Sequence, residues 1–102
     1  MTVYVLSSDA QEDLQQIQAY YEQEAGARVA RQVLHEITRG IERIASNPGI
    51  GHRRTDLTDE RMRFWQVFAY LIVYDPEARP LGISRVLHGR RDLESMLRVG
   101  FR

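Results

Sequence analysis

Residues 27–46, ARVARQVLHEITRGIERIAS, form the most regular stretch of the sequence. Pro48 disfavours helical geometry at Asn47, so a helix in this stretch ends near residue 46. Apolar side chains recur here at spacings of three and four, which places them on one face of a helix: Val29, Val33, Leu34, Ile37, Ile41, Ile44 and Ala45. The stretch therefore predicts an amphipathic helix over residues 27–46.

A second helical pattern precedes this one, over residues 8–24. Ser8 is the expected N-cap, with Gln11 as its capping-box partner. Only a short connection around Gly26 separates the two helices, so they run antiparallel as an αα-hairpin. The apolar residues of the first helix recur at spacings of four, three and four: Ala10, Leu14, Ile17 and Tyr21.

Four stretches rich in β-branched and aromatic residues predict strands over residues 2–7, 62–68, 70–75 and 82–88. The last three are joined by short connections, which makes them antiparallel neighbours. We therefore expect an α+β fold in the order β-α-α-β-β-β, with the helical hairpin on one face of an antiparallel sheet. The tail from Asp92 to Val99 can form a short C-terminal helix. The residues expected in the buried face are Leu14, Ile17, Val33, Ile37, Ile41, Ile44, Leu71, Val73 and Val86.

Length and composition limit the number of domains and the kinds of partner. The chain has 102 residues, the size of a single domain, so we treat residues 1–102 as one unit. All fourteen basic residues are arginine and they balance fourteen acidic residues, which argues against a protein held on nucleic acid by bulk charge alone. The balance conceals an asymmetry, with a net charge of −3 over residues 1–52 and +3 over residues 53–102.

Several classes of protein are excluded by what the sequence lacks. Without cysteine there is no disulfide, thiolate metal site or cysteine nucleophile. No apolar run approaches the length of a membrane helix, and the first residues lack the pattern of a signal peptide, so we expect a cytoplasmic protein. His35, His52 and His88 are scattered, with no metal-ligand spacing to another residue. We therefore expect no metal ion and no cofactor.

One group of polar residues remains as a candidate site. Its guanidinium groups can stabilise developing negative charge and its imidazole can transfer a proton, so the group could act on a phosphodiester. Alternatively, Asp92 forms an ion pair with Arg85 or Arg91 and pins the C-terminal segment to the domain. The group comprises Arg61 and Arg63 before the second predicted strand, and Arg85, His88, Arg90, Arg91 and Asp92 at the end of the last one.

Short motifs along nearly the whole chain match those of a known family. They are Tyr4-Val5-Leu6-Ser7 with Ala10, Asp13-Leu14 and Ile17; Tyr21, Gly26 and Ala30; Asn47-Pro48-x-x-Gly51 with Arg53; Arg63-Phe64-Trp65, Val67, Tyr70-Leu71-Ile72 and Tyr74; and, most specific of all, RVLHGRRDL from Arg85 to Leu93. In their order and spacing these motifs resemble the RelE/ParE superfamily of toxins from bacterial type II toxin–antitoxin modules. The sequence is closer to the ParE branch.

The resemblance implies a toxin that is neutralised by a cognate, ParD-like antitoxin in a hetero-oligomer. Members of the ParE branch typically inhibit DNA gyrase and leave cleaved DNA trapped on it, with growth arrest and plasmid stabilisation as consequences. In that case the polar cluster contacts the target or holds the fold, without acid–base chemistry and without sequence-specific binding to nucleic acid. Aromatic side chains are the expected anchors for the antitoxin: Tyr20, Tyr21, Trp65 and Phe68.

Two alternatives stay open at this point. Members of the RelE branch cleave messenger RNA on the ribosome, and in that case Arg63, Arg85, His88 and Arg91 would be the catalytic set. The sequence departs from that branch because Phe101 stands where an RNase tyrosine is found, and because lysine is absent. The other alternative is a non-toxic partner or adaptor of the antitoxin.

Overall fold

A computed structural model describes residues 3–58 and 61–92, and its order of elements confirms the predicted α+β fold. The elements are β1 (Tyr4–Leu6), α1 (Ser8–Ala25), α2 (Ala27–Ser46), a single 3₁₀ turn (Pro48–Ile50), β2 (His52–Arg53), β3 (Arg63–Val67), β4 (Tyr70–Asp75) and β5 (Leu81–His88). The predicted C-terminal helix lies beyond Asp92, outside the described residues. None of the described helices is long and apolar enough to cross a membrane.

The two helices form the predicted hairpin, but the first one begins differently from the prediction. Ser7, and not Ser8, is the N-cap, because its hydroxyl accepts a hydrogen bond from the Ala10 amide at 2.9 Å. The same Ser7 hydroxyl donates to the Ser84 carbonyl at 2.7 Å. This contact with β5 explains why Ser7 is the N-cap and the adjacent Ser8 is not. Gln11 donates its side-chain amide to the Leu6 carbonyl rather than completing a capping box.

The sheet is mixed, in the order β1-β5-β4-β3-β2. β3, β4 and β5 are antiparallel neighbours as predicted, whereas β1 pairs in parallel with β5. The helical hairpin returns the chain to the end of the sheet that β1 leaves, so β2 runs opposite to β1. Three successive antiparallel pairings, from β2 to β5, then give β5 the same direction as β1. The two-residue strand β2 was not predicted, since the sequence from Pro48 to Arg54 has the composition of a loop.

β3 and β4 form a tight hairpin around Phe68 and Ala69, and Val67 pairs with Tyr70 across the turn. Phe68 has a φ of 55°, the left-handed conformation that such turns require and that glycine or asparagine usually supplies. The Phe68 carbonyl accepts a hydrogen bond from the Gln66 side chain at 2.9 Å. The ring of Phe68 is 61% exposed at this tip.

Apolar side chains fill both faces of the sheet. The helix-facing cluster joins α1, α2 and the sheet through Ala10, Ile17, Ile37, Ile41, Ile44, Tyr70, Ile72, Tyr74, Leu81, Ile83 and Val86. A second cluster comprises Met62, Phe64, Leu71, Val73 and Leu87, with Leu57 packed against it. Seven of the nine residues expected in the core are buried, while Leu14 and Val33 are half-buried against the first cluster. Leu71 and Val73 belong to the second cluster, so the sheet buries apolar side chains on both of its faces and not on the helix-facing one alone.

Tyr74 fixes the chain where it leaves α2. Its hydroxyl donates to the Pro48 carbonyl at 2.7 Å and accepts from the Gly51 amide at 2.8 Å. The Gly51 backbone lies so close to the Tyr74 ring that a Cβ at position 51 would overlap the hydroxyl. Gly51 is therefore required by the close approach of backbone and ring.

We expect Gly51→Ala to lower the free energy of unfolding by about 1–3 kcal/mol, the usual effect of overfilling a packed site. Gly49→Ala is the matched control, because the nearest atom to a Cβ there is Asn47 Oδ1 at 3.9 Å. Urea unfolding of both variants measures the difference. Equal stability of the two variants would show that the Tyr74 ring moves aside at no cost.

Candidate functional site

A cleft of about 190 Å³ opens between α1 and the ends of β4 and β5. Three residues of the predicted polar cluster meet here, since Arg91 and Asp92 line the cleft and Arg85 binds one of its walls. The lining residues are Asp13, Gln16, Ile17, Tyr20, Tyr70, Val86, Arg91 and Asp92. Three charged residues and two tyrosines thus surround a small opening above the core.

Arg85 and Asp13 form the wall of this cleft. The Arg85 guanidinium donates to both carboxylate oxygens of Asp13, each at 2.8 Å, and the Val86 amide donates to the same carboxylate at 2.9 Å. The side chains are only 22% and 11% exposed. The hydrogen bonds from Arg85 to Asp13 raise the pKa of Arg85, so its guanidinium is charged at every physiological pH.

A β-bulge directs Arg85 toward the helix. The pairing of β4 with β5 shifts between Val73 and Tyr74, because Val73 pairs with Arg85 while Tyr74 pairs with Ile83. Ile83 and Val86 consequently both face the helices although they are three residues apart. Bulges re-aim side chains in this way, and here the bulge brings a guanidinium from the sheet to α1.

His88 is held by its own backbone neighbourhood. Its Nδ1 accepts hydrogen bonds from the amides of Arg90 and Arg91, each at 3.3 Å. Asp92 accepts a hydrogen bond from the His88 amide at 2.7 Å, and so closes the turn that follows β5. Nδ1 of His88 is therefore engaged within the turn.

Tyr70 and Tyr20 form the opposite side of the cleft. Burial of Tyr70, with a smaller contribution from its hydrogen bond with Tyr21, raises its pKa to about 12. Tyr20 is 46% exposed, and the guanidinium of Arg91 lies 5.6 Å from the centre of its ring. A cation–π contact of this kind holds Arg91 at the mouth of the cleft without neutralising its charge.

The rest of the predicted cluster lies elsewhere. Arg63 pairs with Tyr74 at one end of β4, whereas His88 pairs with Tyr70 at the other end. Arg61 forms ion pairs with Asp75 at 2.8 Å and Glu77 at 3.1 Å. The residues of the predicted cluster therefore do not all meet at one place, because the length of β4 separates Arg61 and Arg63 from His88.

Arg90 and the candidate antitoxin anchors are also dispersed. Arg90 lines a separate cleft with Arg54, Leu71 and His88. Tyr21 and Trp65 are half-buried against the core, whereas Tyr20 and Phe68 are exposed. Trp65 lines a third cleft, beside α2, and its ring stacks on His52 at 6.3 Å.

Asp13 was the residue that sequence reasoning missed as a partner, although a signal for it existed. It stands three residues after Ala10 and four before Ile17, on the face of α1 that is buried. A carboxylate on a buried face needs a cationic partner. The proposed ion pair of Asp92 with Arg85 or Arg91 was accordingly wrong in its partner: Asp13 pairs with Arg85, and Asp92 binds a backbone amide. Within residues 3–58 and 61–92 no cluster of potential ligands could hold a metal ion.

Arg85→Ala should lower the free energy of unfolding by about 3 kcal/mol, because it leaves the half-buried Asp13 without its cation. Arg61→Ala is the matched control, because it also breaks an arginine–carboxylate pair at 2.8 Å. The Arg61 side chain is 62% exposed, so water solvates the carboxylate left behind and the loss of stability is smaller. Urea unfolding of the two variants gives the comparison. Equal losses would contradict a special role for the Asp13 pair.

The stability of the fold should fall at high pH through Tyr70. An unfolded tyrosine releases its proton near pH 10.0 and folded Tyr70 near pH 12. Its contribution is therefore fully present below pH 10.0 and is lost as the pH rises toward 12. Urea unfolding across this range, with Tyr70→Phe as control, measures the slope, which should be shallower in the variant. An identical slope in both proteins would contradict the assignment to Tyr70.

Comparisons with known proteins agree with this fold. The family model for the ParE toxin of the type II toxin–antitoxin system parDE matches residues 4–93. A curated relative, toxin ParE of Escherichia coli, is 28% identical over 97 residues, which is 95% of this chain and 94% of the relative. A solved structure of the chromosomal ParDE toxin–antitoxin system from P. aeruginosa superposes with a TM-score of 0.73 at 16% identity, covering 86% of this chain and 96% of that one. The chain belongs to the ParE toxin family of type II toxin–antitoxin systems.

Proposed function

We propose that this toxin arrests growth by binding DNA gyrase in the cytoplasm and trapping cleaved DNA on it, and that a ParD-like antitoxin neutralises it. The observation that carries the proposal is the state of the residues that a nuclease would need. Arg85 is bound to Asp13, and Nδ1 of His88 accepts two backbone amides. Inhibition through binding needs no proton transfer from any of them.

The residue best placed to contact the target is Arg91. It is exposed at the mouth of the cleft, and Tyr20 orients its guanidinium while leaving its charge available. Its neighbour Arg90 is exposed as well, so the turn after β5 presents two cations side by side. An exposed guanidinium of this kind suits recognition of carboxylate or phosphate on a partner.

Exposed aromatic rings support an antitoxin partner. Tyr20 and Phe68 are 46% and 61% exposed. Aromatic side chains that a partner buries on binding commonly dominate the affinity of protein interfaces. Tyr20 stands beside Tyr21 with their rings edge to face at 5.1 Å, which gives a partner helix or strand an apolar contact on α1. We propose that the antitoxin covers this face of α1 and so also covers Arg91.

Purified toxin tested against both substrates decides the function. We expect inhibition of gyrase supercoiling with accumulation of cleaved DNA, intact messenger RNA on ribosomes, and loss of the inhibition when the antitoxin is added first. Arg91→Ala should reduce inhibition by at least tenfold with unchanged urea unfolding, since about 1.5–3 kcal/mol is typical of a charged hydrogen bond. Arg28→Ala, on an exposed part of α2, is the control and should inhibit like the wild type.

Three outcomes would contradict the proposal. Messenger RNA cleavage that His88→Ala abolishes, with supercoiling untouched, would establish the nuclease. Healthy growth on strong induction would favour the adaptor. Lost stability in Arg91→Ala would show that this residue holds the fold instead of contacting the target.

A further inference from the structure

A fourth cleft, of about 430 Å³, lies at the opposite end of the sheet from Arg91 and is lined by arginines. Arg53 comes from β2, Arg61 from the segment just before β3, Arg63 from the first position of β3, and Arg79 from the turn between β4 and β5. Pro48, Gly49, Pro76 and Glu77 also line it. Four guanidinium-bearing residues thus converge on one opening, where Glu77 is the one carboxylate among the described lining residues.

The sheet register sets two of these arginines against each other. Arg53 of β2 pairs directly with Arg63 of β3 in the antiparallel ladder. Like charges directly opposite each other on neighbouring strands destabilise a sheet. Among the described residues no carboxylate forms an ion pair with either of them: Arg63 donates to the Gly51 carbonyl at 2.8 Å, and Arg53 is exposed. An anion bound between the two would relieve this repulsion.

The remaining contacts orient the arginines more than they neutralise them. Arg79 donates to the carbonyls of Pro76 and Ala78, at 2.9 and 2.7 Å, which positions its guanidinium without cancelling its charge. The carbonyl that holds Arg63 belongs to Gly51, which Tyr74 fixes in turn. Of the four arginines, Arg61 alone is bonded to carboxylates of the described residues, those of Asp75 and Glu77. Over residues 3–58 and 61–92 the cleft therefore has an excess of positive charge, on side chains that are already in place.

We propose that this cleft binds the phosphodiester backbone of DNA, an inference that rests on the proposed function because cleaved DNA is part of the trapped gyrase complex. Guanidinium groups bind phosphate through paired hydrogen bonds. An acidic peptide fits less well, because among the described lining residues Pro48 and Pro76 alone offer it apolar contact and no aromatic side chain anchors it, whereas a phosphate contact needs no such anchor. Binding to backbone alone is independent of sequence and, for a chain of zero net charge, weak and sensitive to salt.

The test uses the full-length toxin without gyrase and a short fluorescent DNA duplex of mixed sequence, with anisotropy followed over a series of salt concentrations. The variants are Arg53→Gln and Arg79→Gln, with Arg28→Gln as a control that makes the same change of charge on exposed α2. Each cleft variant should reduce the slope of log affinity against log salt by about 1, whereas the control keeps the wild-type slope. Each lost contact corresponds to about 3.5-fold in affinity between about 50 and 200 mM salt. Urea unfolding verifies each variant, and Arg53→Gln alone carries the test if Arg79→Gln proves unstable.

Each contrary result has a distinct meaning. If binding does not depend on salt, the cleft holds no phosphate site and the proposal is overturned. If Arg28→Gln changes the slope as much as the cleft variants do, binding comes from diffuse surface charge and the proposal is likewise overturned. Binding of a polyglutamate peptide in place of the duplex would assign the cleft to an acidic protein segment, and tighter binding of single-stranded RNA would overturn the assignment to DNA. A toxin that inhibits gyrase without binding the duplex refutes this inference alone, while one that binds the duplex without inhibiting gyrase refutes the proposed function alone.

Discussion

The ion pair between Asp13 and Arg85 is the contact on which the arrangement of helices and sheet depends. It joins residues 72 positions apart and ties α1 to β5. β5 lies between β1 and β4 in the sheet, so fixing α1 on it fixes the hairpin relative to every other strand. Ser7 adds a second tie through the Ser84 carbonyl, next to Arg85. The pair also constrains the sequence, because either charge left alone in this half-buried position would be costly.

The need of a half-buried charge for an opposite partner also explains why the arginines of the C-terminal half have different roles. Arg85 faces a helix that carries a carboxylate and becomes part of the structure, whereas Arg53 and Arg63 face one another and keep their charge. A net charge of zero thus conceals two kinds of arginine: Asp13 neutralises Arg85 beside the helical hairpin, whereas at the other end of the sheet no carboxylate of the described residues forms an ion pair with Arg53 or Arg63. The six residues of β4 separate the two ends, which lets one small domain present two different polar surfaces.

Periodicity predicted the helices and β3, β4 and β5 well because each is long enough to show its apolar spacing locally, whereas the two residues of β2 are too few to show any. The parallel pairing of β1, the choice of Ser7 over Ser8 and the bulge at Val73 depend on contacts between residues distant in the sequence, and no local pattern records them. The site shows the same limit. Its residues were recognised by type, but their partners were not, because which arginine meets which carboxylate is decided by the bulge and the length of β4.

The turn after β5 is built on hydrogen bonds to His88. Its Nδ1 accepts the amides of Arg90 and Arg91, and its own amide donates to Asp92. A residue that shapes a turn can still serve binding, because binding requires that neighbouring groups stay where the turn puts them. The turn also orders Arg91, because His88 binds its backbone amide and Tyr20 contacts its guanidinium. Arg91 therefore loses little conformational entropy when a partner binds.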